Sequence, residues 1–206
     1  PPSTWLKKKD NIGLFPLSGI SNSETLHCNE NGYYSRFKSD RYGFNNPDFE
    51  WNSEQIEYLI IGDSYPFGAC VNRPEDISSV LRKISKKNIL NLSNAGSGSL
   101  IQYATLREYL RPGVKNIVWM FYGNDLDDLN SERDSLILNN YIKDLSFTQN
   151  LKNKQIQIEE LLKAEIDKVF YKEQKTNNNF KIPSFIKLYK FRSLIKSLRK
   201  QKKYNY

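Results

Sequence analysis

Apolar and polar positions change rhythm twice along the 206 residues. Residues 1–50 are rich in Gly, Asn, Pro and Ser and read as an irregular lead-in. Short apolar runs then alternate with stretches of helical spacing. "EYLIIG" (Glu57 to Gly62), "NILNLS" (Asn88 to Ser93) and "KNIVWMFYG" (Lys115 to Gly123) have strand length, and the third is apolar on both faces. Between the first two, "RPEDISSVLRKISKK" (Arg73 to Lys87) repeats Ile77, Val80, Leu81 and Ile84 at helical spacing. Glu75 and Asp76 favour the first turn of that helix. "SLIQYATLREYL" (Ser99 to Leu110) predicts a second helix, stopped by Pro112-Gly113. After Asp128 the spacing predicts helices near Asn130 to Lys143, Asn150 to Tyr171 and Pro183 to Lys200. "KTNNNFKIP" (Lys175 to Pro183) reads as a polar linker between the last two.

Strands alternating with helices at this spacing imply right-handed crossovers and a parallel sheet. Continuous apolar strands agree, because a parallel sheet is covered on both faces. The expected fold is α/β, a Rossmann-like (flavodoxin-like) parallel sheet with visible strand order 2-1-3 and a helical C-terminal extension. The third strand is left with an open edge where a fourth should pair. The expected organisation is a lead-in (1–50) packing on the domain, an α/β core (51–128), and a helical extension (129–206) of the same domain.

Charge narrows the partners. The formal net charge is +8, but ten of the 31 Lys and Arg fall between Gln174 and Tyr206, where no Asp or Glu occurs. The body is therefore close to neutral and lacks the basic, aromatic-interleaved stripe of a nucleic-acid surface. No apolar run approaches the ~18–20 residues of a membrane span. In the tail, Phe185, Ile186, Tyr189, Leu194, Ile195 and Leu198 form a rough helical stripe. It reads as a basic amphipathic helix on an anionic membrane surface or, the preferred reading, as a helix packed on the rest of the domain. Cys28 and Cys70 form no CxxC pair, and with His27 they are too few soft ligands for zinc. Two separate thiols or one disulfide in an exported, periplasmic-type protein both remain open.

In an open parallel sheet, ligands collect beyond the carboxyl ends of the strands. Gly62-Asp63-Ser64 follows the first strand, Asn94-Ala95-Gly96-Ser97-Gly98 the second, and Gly123-Asn124-Asp125 the third. Ser64 offers a hydroxyl on a tight turn, Gly96 an N–H that can be closely approached, and Asn124 a side-chain amide donor. A serine beside fixed N–H donors is what acyl transfer requires: the hydroxyl attacks a carbonyl and the donors hold the oxyanion.

"IGDS", "NAGSG" and "YGND" resemble, in order, the first three sequence blocks of the SGNH, or GDSL-type, hydrolases. "SDRYGFNNPD" (Ser39 to Asp48) resembles the segment before the first block in envelope-associated bacterial members, some of which act on acyl groups of sugars. The resemblance runs from about Ser39 to Asp128. It implies Ser64 as nucleophile, with Gly96, Asn124 and the Ser64 N–H as oxyanion donors, and no cofactor or metal. It also implies a small-molecule or saccharide ester as substrate. Three features depart from the family pattern. The late Asp-x-x-His is missing, since His27 is the chain's one histidine; three strands are visible where the family has five; and Ser93 and Ser99 stand where Gly and Pro are frequent. The expectation is a truncated SGNH domain. Its chain starts after an N-terminal segment and stops before the base histidine, and it is nearly inactive by itself.

Each residue also has a plainer reading. Ser64 could be a helix N-cap, and Asn124 a turn residue. Asp63 is expected to orient its turn by accepting backbone N–H bonds, and Asp125 to brace the next segment. His27 is expected to be a surface or structural histidine. "GSGSLI" (Gly96 to Ile101) lacks the third glycine of a dinucleotide fingerprint and follows the wrong strand, and there is no P-loop. The leading function is a serine ester hydrolase or O-acyltransferase. The alternative is a non-catalytic carbohydrate- or envelope-binding protein that keeps the SGNH shell.

Overall fold

The computed structural model describes residues 2–6, 13–30 and 32–178. The chain divides into two compact units, residues 1–162 and 163–206. The first opens with an antiparallel pair, β1 (Glu24–His27) and β2 (Ser35–Lys38), in the register Glu24↔Lys38 to His27↔Ser35. There follow β3 (Ile56–Gly62), the one-turn α1 (Ser64–Phe67), α2 (Ile77–Ser85), β4 (Ile89–Asn91), α3 (Ser99–Tyr109) and β5 (Val114–Met120). Then come α4 (Asp125–Glu132), α5 (Leu136–Lys143) and α6 (Gln155–Asn178). Of the second unit, the described residues 163–178 are the last turns of α6.

β3, β4 and β5 form a parallel sheet in the order β4-β3-β5, the expected second-first-third arrangement. Side chains alternate across a strand. Leu59 and Ile61 of β3 join Leu100, Ile101, Ala104 and Tyr109 of α3 in one core, while Ile60 is buried on the opposite face. Burying such a Leu or Ile side chain contributes ~2 kcal/mol. α2 packs on β4. Its Asp76 is the N-cap, accepting from the Ser79 N–H at 3.0 Å. β5 departs from the two-sided burial expected of it. Among the described residues it pairs with β3 alone, and Ile117 (45%) and Val118 (37%) are exposed.

The lead-in is not irregular throughout. Besides β1 and β2 it carries a polar knot centred on Asp40, which is fully buried. Asp40 Oδ1 accepts from the N–H groups of Tyr42 and Phe44 at 2.9 and 3.0 Å. Its Oδ2 accepts from Asn46 Nδ2 and Trp51 Nε1 at 2.9 and 2.7 Å. Burial raises the carboxyl's pKa against these donors. One neighbouring asparagine reaches the sheet. Asn46 Nδ2 donates to the Asn91 carbonyl at 2.8 Å, and its Oδ1 accepts from the Asn91 N–H at 2.8 Å. It thus satisfies the outer edge of β4 as a strand would. Glu50 accepts from the Ile89 N–H at 3.2 Å and pairs with Arg82 Nε at 2.8 Å.

Other differences lie in the helices. The single helix expected over 130–143 is two, because the chain bends after Glu132 and Ser135 caps α5 through the Leu138 N–H. α4 begins at Asp125, directly on the third strand-end loop. A short 3-10 turn, Leu151–Lys154, precedes α6, which continues to Asn178 through the start of the expected linker. The Pro183 to Lys200 helix and its apolar stripe lie outside the described residues.

Cys28 and Cys70 form a disulfide with Cα atoms 4.9 Å apart, which closes the question left open above. It ties the end of β1 to the segment following α1. With a sequence separation of 42, loop-closure entropy assigns it ~4 kcal/mol of stability. Thiol titration of the unfolded, unreduced protein is expected to find no free thiol. Replacing both cysteines with serine is expected to lower the urea-unfolding free energy by ~4 kcal/mol.

Candidate active site

The three strand-end loops meet on one side chain, Asp63, which is 6% exposed. The first loop leaves β3 through Asp63, and α1 starts at once with Ser64. The second loop supplies the N–H groups of Gly96 and Ser97, both donating to Asp63 Oδ1, the latter at 3.1 Å. Gly96 has φ of +71°, a left-handed backbone that a side chain would strain, and this conformation turns its N–H inward. The third loop supplies Asn124, whose Nδ2 donates to Asp63 Oδ2 at 2.9 Å and to Asp128 Oδ2 at 3.0 Å. The Ser64 hydroxyl completes the set with a long bond to Asp63 Oδ2, 3.4 Å.

Ser64, Gly96 and Asn124 are therefore gathered around one carboxylate. Asp63 does accept backbone N–H bonds, but those of the second loop, more than thirty positions away, rather than of its own turn. One feature differs from an open oxyanion hole. The Gly96 N–H and both hydrogens of the Asn124 amide are already engaged by carboxylates. To serve an oxyanion they must exchange one negatively charged oxygen for another.

A second layer fixes the loops. Gln102 of α3 donates to the Ser97 carbonyl at 2.7 Å and to Asp125 Oδ1 at 2.9 Å, and accepts from Trp119 Nε1 at 2.6 Å. Asp125 Oδ2 accepts from the Tyr122 N–H. Asp125 thus braces the start of α4, as its position suggested. Beneath Ser64, the Phe67 carbonyl accepts from Asn45 Nδ2 at 2.9 Å and the Pro66 carbonyl from Asn91 Nδ2 at 2.6 Å. These bonds hold the last turn of α1 from below.

Glu132 was not legible as a site residue. It lies at the end of α4, fully buried, and caps the start of α3. Its Oε1 accepts from the Gly98 N–H at 2.6 Å, and its Oε2 from the N–H groups of Leu100 and Ile101 at 2.9 and 3.2 Å. Gly98 is required by this contact, since a Cβ there would meet the Leu129 nitrogen at 2.7 Å and Asp128 Cβ at 2.8 Å. No signal in the sequence marked it: the spacing put residue 132 near the start of a helix over 130–143, where an acid is ordinary, and only the structure places it in the last turn of α4, against the macrodipole. Burial pushes its carboxyl up to about 7 against the three donors, and the negative charge of Asp128 adds to the rise.

His27 ends β1 half-buried, its ring edge-on to Phe67 with centroids 5.1 Å apart. Burial lowers its pKa, Nδ1 has no hydrogen-bond partner, and the Ser64 hydroxyl donates to Asp63 instead. Among the described residues, one group has metal-ligand spacing: Cys28, Glu30 and Cys70. The disulfide consumes both of its thiols. Compared with known protein families, with curated proteins and with solved structures, the chain matches none.

Two outcomes follow. Asp63→Ala strands three N–H donors on two loops and is expected to cost about 3 kcal/mol in denaturant unfolding; a loss under 0.5 kcal/mol would show that other contacts hold the loops. For Glu132, the unfolded carboxyl titrates near 4.5 and the folded one near 7. Between these values the folded state keeps a proton that the unfolded state releases. Its contribution to stability is present below pH 4.5, falls as pH rises to 7, and is flat above. Stability measured against pH for Glu132→Gln should lack this decline.

Proposed function

We propose that the chain carries the nucleophile-bearing part of an SGNH-type serine ester hydrolase or O-acyltransferase with a Rossmann-like core. The observation that supports this most is the convergence of three successive strand ends on Asp63, which brings Ser64, Gly96 and Asn124 into one cluster. Ser64 Oγ forms a bond to the ester carbonyl carbon while its proton passes to a base, and the carbonyl π pair moves to oxygen. The Gly96 N–H, the Asn124 amide and the Ser64 N–H take up that oxyanion, and each such donor contributes ~3 kcal/mol to lowering the barrier. Collapse breaks the ester C–O bond and releases the alcohol with a proton. Water or a sugar hydroxyl then attacks the acyl-enzyme.

The base is the unfilled role. Among the described residues the Ser64 hydroxyl donates to Asp63 rather than to His27. Tyr65 (73%) and Tyr122 (75%) are exposed beside Ser64 and Asn124, and suit a saccharide or acyl group that needs an apolar face with a polar rim. The disulfide favours an oxidising compartment, in line with an exported protein.

One observation favours the second reading, a saccharide-binding shell without chemistry: the Gly96 and Asn124 donors are held by Asp63 rather than left open. Fluorophosphonate labelling separates the two. With imidazole added as external base, mass spectrometry is expected to find one adduct, on Ser64, that Ser64→Ala loses. No adduct, or one on another serine, supports the binding reading. Without imidazole, turnover of a short-chain chromogenic ester is expected to be near background; rapid Ser64-dependent turnover would place the base within the chain.

A further inference from the structure

The second and third loops reach Asp63 from different elements, and besides Asp63 two side chains join those elements: Gln102, which donates to the Ser97 carbonyl and to Asp125 Oδ1, and Glu132. α4 carries Asn124 as its N-cap and Asp128 in its first turn. The second loop carries Gly96 and runs through Gly98 into α3. The two elements touch where Gly98 lies against Asp128 and Leu129, closely enough that a Cβ would meet backbone at 2.7 Å. Across that contact Glu132 accepts three N–H bonds from residues 98, 100 and 101. These N–H groups are among those a helix start leaves without an intrahelical partner. α3 has no side-chain cap of its own, because its N-cap is Gly98. A carboxyl from seven residues further along α4 than Asp125 takes the place of that cap. The clamp therefore joins the element bearing one donor to the element bearing the other.

We infer that Glu132 is a positioning residue of the candidate site: its buried carboxyl locks the Gly96–Gly98 loop to α4 and so sets the Gly96 N–H and the Asn124 amide relative to Ser64. The inference rests on the acyl-transfer reading for its catalytic consequence, and on geometry alone for its structural one. A Gln at 132 keeps the volume but replaces one acceptor oxygen with an NH2 that faces N–H donors, which breaks the clamp locally. A carboxyl that merely filled core space would tolerate that exchange without moving Asn124, which lies at the other end of α4.

The experiment uses the full chain with Glu132→Gln and Glu132→Ala, read two ways. By NMR, Glu132→Gln is expected to speed amide exchange at Gly98, Leu100 and Ile101 at least tenfold. It is also expected to shift the Gly96 N–H and Asn124 side-chain resonances, with Leu59 and Leu90 unmoved. By fluorophosphonate labelling with imidazole, the Ser64 rate is expected to fall at least tenfold in both variants, and Glu132→Asp to recover part of it. Unshifted Gly96 and Asn124 resonances in Glu132→Gln overturn the inference, as does an unchanged labelling rate in a folded variant. If wild-type Ser64 takes no label, the acyl-transfer reading fails and the resonances alone decide the role of Glu132. If Glu132→Ala does not fold, Glu132→Gln carries both readouts.

Discussion

The Asp63 carboxylate is the constraint on which the candidate site depends. It stands at the end of the central strand, where its neighbours on both sides also end, and four donors from three loops converge on it. A parallel sheet makes this possible, because parallel strands discharge their loops at one edge. Charge-assisted bonds to a largely buried carboxylate are stronger than neutral ones. Leaving those donors unpaired would be costly. The cluster is therefore both an anchor for the loops and a ready-made environment for a negative oxygen. Both properties come from the same donors, all of which are engaged by the Asp63 side chain.

The lead-in supports this cluster from below. Asp40 fixes the turn over residues 40–46, and that turn presents Asn45 to the Phe67 carbonyl and Asn46 to the edge of β4. Asn91 then reaches the Pro66 carbonyl. A chain of amide side chains thus runs from the Asp40 knot to the turn that bears Ser64. The disulfide adds a covalent tie between β1 and the segment beyond that turn. Apart from the local bonds of Asp40, each link joins residues more than twenty positions apart, so the Ser64 turn is held by tertiary contacts more than by its own four-residue helix, which is too short to be stable alone.

Where local pattern governs, the sequence was readable. The three apolar runs became the three parallel strands, and Ile77 to Ile84 became α2, because both element types leave a period in the chain. The α2 stripe is not its buried face, since Ser78 and Ser79 are buried while Val80 and Ile84 are exposed. The boundaries of these elements moved by up to four residues, those of α6 by more, and Asp76 proved to be the cap rather than part of the first turn. The lead-in misled because its order comes from buried Asp and Asn side chains, which in sequence look the same as loop residues. The break after Glu132 was hidden because both flanking segments keep helical spacing.

By itself the sequence determined an α/β chain with strand order second-first-third and named Ser64, Gly96 and Asn124 as the residues at the strand ends. Apolar periodicity and strand topology are sufficient for that. Only the tertiary structure decided that those residues meet on Asp63, that their donors are already engaged there, that Cys28 reaches Cys70, and that Glu132 bridges α4 to the start of α3. The reason is physical: a hydrogen bond between residues 34 positions apart leaves no period in the chain, and which donor finds which acceptor is settled only when packing brings them within hydrogen-bond distance.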